Sequence, residues 1–160
     1  MIKRIMVTLD GSEFAERALP YATELAQKFD AEIELIRVVQ PIIMMSDFGA
    51  TTYQSLMSME EKEAETYLRA RQHELQQAGI PTHYKLLEGI VADAIIDRAI
   101  EDEVDLIVMS THGRSGLSRW IYGSVAAKIL EHAPCPVFLV RVQHAQQKET
   151  SPATGESVAA

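Results

Sequence analysis

Five short runs rich in β-branched and aliphatic residues alternate with stretches of helical periodicity, and this alternation constrains the fold more than any other feature of the chain. The runs are Ile5 to Leu9, Ile33 to Val39, Thr82 to Leu87, Val104 to Met109 and Val137 to Val142. Their length and residue types are those of strands. Strands separated by helices need crossover connections, which are right-handed and place the strands parallel, with helices on both faces of the sheet. The expected fold is α/β: a five-stranded parallel sheet in an open three-layer α/β/α sandwich.

The helical segments carry their own start and stop signals. Ser12 is a good N-cap, and Ala15, Ala18, Leu19, Ala22, Leu25, Ala26 and Phe29 line one face of the helix that follows. Pro20 interrupts that face and predicts a bend or a local loss of bonding. A second helix is expected from about Ser55 to Ala78, with Ala64, Leu68, Arg71, Leu75 and Ala78 aligned; Gly79 and Pro81 stop it. A third follows Gly89 with Val91, Ala94, Ile95 and Ala99 inward, and a fourth runs from about Gly123 to His132. Residues 40–52 have no clean period and are expected to be a loop. Four of the seven methionines lie between Met44 and Met59, where they suit either gap-filling in the core or an adaptable lid.

Composition narrows the function classes. The 160 residues carry 15 Lys plus Arg against 23 Asp plus Glu, a net charge of -8, which disfavours an extended nucleic-acid backbone as partner. The length suits one domain, expected over residues 1–142, with a flexible tail at 143–160. The single Cys135 offers neither an intrachain disulfide nor a metal-ligand spacing, so a reducing cytoplasm is the expected location. No run approaches the roughly 20 apolar residues of a membrane span, and no membrane partner is expected.

In a sheet of this kind ligands bind outside the carboxyl ends of the strands, where strand order reverses. The loops after the first, second and fourth strands are therefore the ones to inspect. The last of these holds Gly113, Gly116 and Gly123, three of the eight glycines, and ends at Ser124, where the fourth helix begins. Unpaired N–H groups at such a helix start can receive a phosphate. From Leu106 to Leu130 there is no acid but there are Arg114, Arg119 and Lys128, so this window carries +3 while the rest of the chain carries -11. Glycine spacing by itself is equally that of an ordinary strand-to-helix loop; the acid-free window favours an anion site.

Residues 2–142 resemble the universal stress protein family. The resemblance rests on Val7 to Glu13 (VTLDGSE), closing the first strand, and on the loop ending Gly123-Ser124. ATP-binding members of that family carry Gly, two residues, Gly, nine residues, Gly, then Ser or Thr. Here Gly113, the nine residues Arg114 to Tyr122, Gly123 and Ser124 match, while Ser110 stands where the first glycine would be. The resemblance implies a Rossmann-like strand order 3-2-1-4-5. It further implies ATP as ligand, with Mg or Mn as the metal ion that can accompany it. Asp10 would sit by the sugar, Thr8 near the nucleotide and Val38 against adenine, with Ser110 bordering ribose and phosphates. Gly113, Arg114, Ser115 and Gly116, together with Gly123, Ser124 and Val125, would hold the phosphates. The family also implies a homodimer, formed by pairing of the last strand, Val137 to Val142, across a two-fold axis.

The residues leave some roles open. Asp10 before Gly11 is also suited to capping a turn. His112 has no second His or carboxylate at triad spacing and reads as structural. There is no Walker A lysine and no GxGxxG, and a GxSxG elbow would need glycine in place of Leu117. The expected function is thus a nucleotide-binding regulatory module with at most slow ATP hydrolysis and no assigned catalytic residue. The alternative is a nucleotide-free dimeric scaffold acting through protein partners.

Overall fold

The computed structural model of the chain describes residues 1–41, 50–111 and 123–141. Its elements run β1 (Arg4–Thr8), α1 (Glu13–Glu16), α2 (Ala18–Phe29), β2 (Glu32–Val39), α3 (Ala50–Gln77), β3 (Thr82–Glu88), α4 (Val91–Glu101), β4 (Leu106–Ser110), α5 (Ser124–His132) and β5 (Val137–Val140). All five strands are parallel, in the order β3-β2-β1-β4-β5. The expected architecture and strand order are both found.

Side-chain alternation along the central strands builds two separate cores. Ile5, Val7, Ile33, Leu35, Leu106 and Val108 pack under α2 and α3 with Ala18, Ala22, Ala26, Leu68 and Leu75. Met6, Ile36, Ile107 and Met109 face the other way, against Ala92, Ile95, Ile96 and Ala99 of α4 and Ala126 and Ile129 of α5. Burial on both faces is why these strands read as continuous apolar runs rather than alternating ones.

Several boundaries differ from expectation. The first helix divides at Arg17, which places Pro20 in the first turn of α2. In that turn the missing N–H breaks no bond within α2, so the break falls before the proline and not at it. Helix α3 begins at Ala50, not Ser55, shortening the expected loop; residues 42–49 lie outside the described residues. Its buried positions are Met57, Ala64, Leu68 and Leu75, with Arg71 only partly covered and Ala78 exposed beyond the helix end. Met57 packs with Val39 and Ala64, a core-filling role, whereas Met59 is exposed; Met44 and Met45 are not among the described residues. In α4 the buried face is Ala92, Ile95, Ile96 and Ala99, with Val91 and Ala94 half-buried, so the helix is rotated from the expected orientation. Val104 belongs to the turn leaving α4, its N–H donating to the Ala99 carbonyl, and β4 starts at Leu106. Strand β5 ends at Val140; Val142 and the expected tail lie outside the described residues. Among the described residues no helix is long and apolar enough to cross a membrane.

One half-buried charge cluster gives a pH signature. Glu34 on β2 accepts from Arg98 of α4 at 2.8 Å, and Arg98 also pairs with Asp102. Burial raises the Glu34 carboxyl above its ordinary value despite the stabilising guanidinium. A carboxyl raised in the folded state contributes stability that is fully present below its unfolded pKa and is lost as pH rises through the folded one. The melting temperature of Glu34→Gln relative to the wild type should therefore rise between pH 4 and pH 7. A difference that is flat, or that falls, across that range would show that the carboxylate is well accommodated.

Candidate functional site

The carboxyl ends of β1, β2 and β4 and the start of α5 converge on a cavity of about 360 Å³. It lies where β1 separates the β2-β3 half of the sheet from the β4-β5 half, the switch point at which such sheets bind ligands. The described residues that flank the three loops singled out by strand order come together. Thr8, Asp10, Val38, Ser110, Gly123, Ser124 and Val125 all line the cavity. Gly113, Arg114, Ser115 and Gly116 lie outside the described residues, as do His112 and Arg119.

The β1 end is built as a turn. Asp10 Oδ1 accepts from the backbone N–H of Ser12 at 2.9 Å and from its hydroxyl at 2.6 Å. The Ser12 oxygen in turn accepts the Ala15 N–H at 3.2 Å, capping α1 as its sequence position predicts. The turn role of Asp10 and its place on the cavity wall thus coexist in one residue.

The α5 end has a different logic. Gly123 is the N-cap, no side chain of the described residues caps the helix, and the first intrahelical bond runs from Ala127 N–H to the Gly123 carbonyl at 2.9 Å. An uncapped helix start directs N–H groups and the positive end of the helix dipole toward the cavity. Gly123 has φ -55° and ψ 152°, a backbone that any residue adopts, and its own N–H donates to the Thr111 carbonyl at 3.2 Å. Among the described residues, a Cβ placed there would meet only that carbonyl, at an ordinary 3.6 Å. Neither the backbone conformation nor the described neighbours require glycine at this position. The open space its missing side chain leaves belongs to the cavity.

Charge around the cavity departs from the sequence-based picture. Lys128, counted as part of the +3 window, sits in the middle of α5 and pairs with Asp93 of α4 at 2.6 Å, away from the cavity wall. The described wall instead carries Arg37, Asp10 and Glu60. Arg37, Gln40 and Glu60 were not among the expected site residues. A charge in the middle of the run Ile33 to Val39 was a visible signal for Arg37. Glu60 had none, because only the packing of α3 across β2 and β3 brings it to the cavity.

Ser110, in the place of the family's first glycine, is the last residue of β4 and is 7% exposed. Its side chain occupies wall space that glycine would leave empty. Among the described residues no group of three metal-ligating side chains is gathered.

Comparison with known proteins agrees with this geometry. The model of the universal stress protein family matches residues 1–141. A universal stress protein of Methanocaldococcus jannaschii is 32% identical over 143 residues, covering 88% of this chain and 83% of that one. The structure of UspA from Lactobacillus plantarum superposes with a TM-score of 0.79 at 27% identity, covering 87% of this chain and 97% of the other. Two further universal stress proteins of this fold, one in complex with cAMP and one from Archaeoglobus fulgidus in complex with dAMP, superpose at TM-scores of 0.64 and 0.60 with 22% and 20% identity. They cover 89% and 87% of this chain and 98% and 97% of their own. With a family model spanning nearly all of its described residues and the cavity at the expected strand ends, the chain belongs to the universal stress protein family.

Proposed function

We propose that this universal stress protein binds an adenine nucleotide, ATP in the first instance, in the cavity at the ends of β1, β2 and β4. The observation that carries the reading is Gly123: a glycine that the backbone does not need, at an uncapped helix start, beside open space. Phosphate oxygens fit that space and the N–H groups that border it. Asp10 would take the ribose hydroxyls through carboxylate capacity beyond its turn, with Thr8 and Val38 beside the base and sugar. Gly113, Arg114, Ser115 and Gly116 would complete the phosphate loop together with Ser124 and Val125. Mg or Mn would arrive with the phosphates. The complexes of related folds with cAMP and dAMP are compatible with an adenine nucleotide here, and their low identity leaves the choice of nucleotide to experiment.

The role would be regulatory, in the cytoplasm, with slow hydrolysis at most, since the described wall holds no nucleophile and base arranged for phosphoryl transfer. Denaturing freshly purified protein should release a nucleotide. Titration with Mg-ATP should saturate with a Kd of roughly 1 μM to 1 mM, that is about 4 to 8 kcal/mol of binding. Absence of both a released nucleotide and any heat at millimolar ATP would overturn the proposal and leave the nucleotide-free scaffold, which the Ser110 side chain on the wall favours.

Dimerisation belongs to the same reading. Strand β5 is an edge of the sheet, with Phe138 39% exposed and its ring 5.7 Å from that of Tyr21. An apolar edge of this kind is covered or paired in a soluble protein. Light scattering at micromolar concentration should give the dimer mass for the full chain, and Phe138→Lys should shift it toward monomer. A monomer for the unaltered protein would remove the dimer from the proposal.

A further inference from the structure

Arg37 is a buried charge on the described cavity wall for which the family motif supplies no reason. It lies on β2, 3% exposed, on the face otherwise filled by Ile33, Leu35 and Val39. Removing a guanidinium from water is costly unless it is paired and held. Its Nη2 is 3.6 Å from Glu63 Oε1, but that carboxylate is 72% exposed, a partner whose attraction is screened. Its Cζ lies 5.4 Å from the centre of the Tyr67 ring, whose other side of the cluster holds Arg71 at 5.9 Å. Burial and the neighbouring Glu16 carboxylate push the Tyr67 phenol well above its ordinary range, so the ring stays neutral and offers its π face to the cation.

The guanidinium also lies beside Gly11. A Cβ at Gly11 would lie 3.1 Å from Nη1, 3.3 Å from Cζ and 3.5 Å from Nη2, so the guanidinium occupies the space that a side chain there would need. The φ of Gly11 is +84°. Gly79 and Gly89 also have positive φ, yet a Cβ at either would meet nothing within 4 Å. Among the described glycines, therefore, only the one following Asp10 combines a left-handed turn with a buried charge packed where its side chain would be.

We propose that Arg37 is a positioning residue for the sugar end of the site: packed against Tyr67 and Gly11, it forms the floor of the turn that aims the Asp10 carboxylate into the cavity. A planar, many-donor cation suits this place, because it can pack against a ring and against backbone at once. Lysine would keep the charge near Glu63 and lose the plane. The inference rests on the nucleotide-binding reading for its ligand, though not for the turn itself.

The test has two arms. In the nucleotide-free protein, hydrogen exchange of the Ser12 amide, which Asp10 protects, should accelerate roughly tenfold in Arg37→Met and less in Arg37→Lys, with exchange in the β4 core unchanged. In the second arm, Arg37→Met should weaken ATP roughly tenfold while leaving 2′,3′-dideoxy-ATP within about twofold of wild type, because only the hydroxyls read by Asp10 are lost. Arg37→Lys, which keeps a buried cation and is the safer variant for folding, should move both readouts in the same direction by a smaller factor. Unchanged Ser12 exchange in both variants overturns the proposal, and so does an equal loss for ATP and its dideoxy analogue. If exchange accelerates while the wild type binds neither nucleotide, the floor beneath the turn stands and the nucleotide reading falls.

Discussion

Replacing Gly123 with valine should reduce nucleotide affinity roughly 10- to 100-fold, about 1 to 3 kcal/mol, the usual cost of forcing extra methyl groups into occupied space. The melting temperature should fall by no more than about 4 °C, since Gly123 is the N-cap of α5 and exchanging glycine for an apolar residue at such a position costs about 1 kcal/mol. This dissociation of binding from stability follows from the conformation of the residue. At φ -55° and ψ 152°, with only the Thr111 carbonyl at 3.6 Å from a new Cβ, the folded chain accepts a side chain without strain. What the side chain enters is the space beside the first N–H groups of α5. Gly123→Ala serves as the graded control and should fall between the two. Calorimetric titration of all three proteins with Mg-ATP, alongside thermal melts, makes the comparison. Equal affinity in wild type and valine variant would show that the phosphate site is elsewhere, whereas a large drop in melting temperature would show that glycine is needed by the fold after all.

Leu68→Ala should lower stability by about 2 to 5 kcal/mol and the melting temperature by roughly 4 to 20 °C, the range for a fully buried leucine in a protein of this size. Leu68 is 0% exposed and, with Ala64 and Leu75, forms the seam by which α3 lies on the sheet. Tyr67, which stacks on Arg37, is its immediate neighbour on the same helix, and Glu60 two turns earlier reaches the cavity wall. Loosening the seam should therefore weaken nucleotide binding as well, measured at a temperature where the variant is still folded. Urea denaturation followed by circular dichroism gives the stability directly. A change below about 1 kcal/mol would mean that the helix is held mainly by its ends and its surface ion pairs, contrary to the packing.

The fold was legible because its signals are local and redundant. Strand and helix runs are closed by breakers or caps, as in Leu9-Asp10-Gly11-Ser12 after the first strand and Ala78-Gly79-Ile80-Pro81 after α3, and a shift by two residues at either end leaves the order intact. The errors are errors of the same locality. Pro20 was read as the place of the break because it is the breaker, while the chain relaxes one turn earlier so that the ring occupies a first-turn position. Ala94 was assigned inward by spacing alone; packing against Met6, Ile36 and Ile107 buries Ala92 and Ile96, while Val91 rests on the same core, half-buried. The site was partly legible for another reason. Asp10, Ser110 and Gly123 mark strand ends and a helix start, and parallel topology gathers such points automatically.

Sequence alone determined the alternation of strand and helix, hence the parallel sheet, and with it the end of the molecule at which the cavity lies. Those are consequences of periodicity and handedness, which every short segment carries by itself. Tertiary structure decided what lines that cavity. It paired Lys128 with Asp93 and so removed a charge that counting had assigned to the loop, and it folded α3 over β2 so that Tyr67 and Gly11 both pack against Arg37. Such contacts join residues 26 to 35 positions apart in the chain, and no local pattern reports on them, because their energy exists only once the layers are packed.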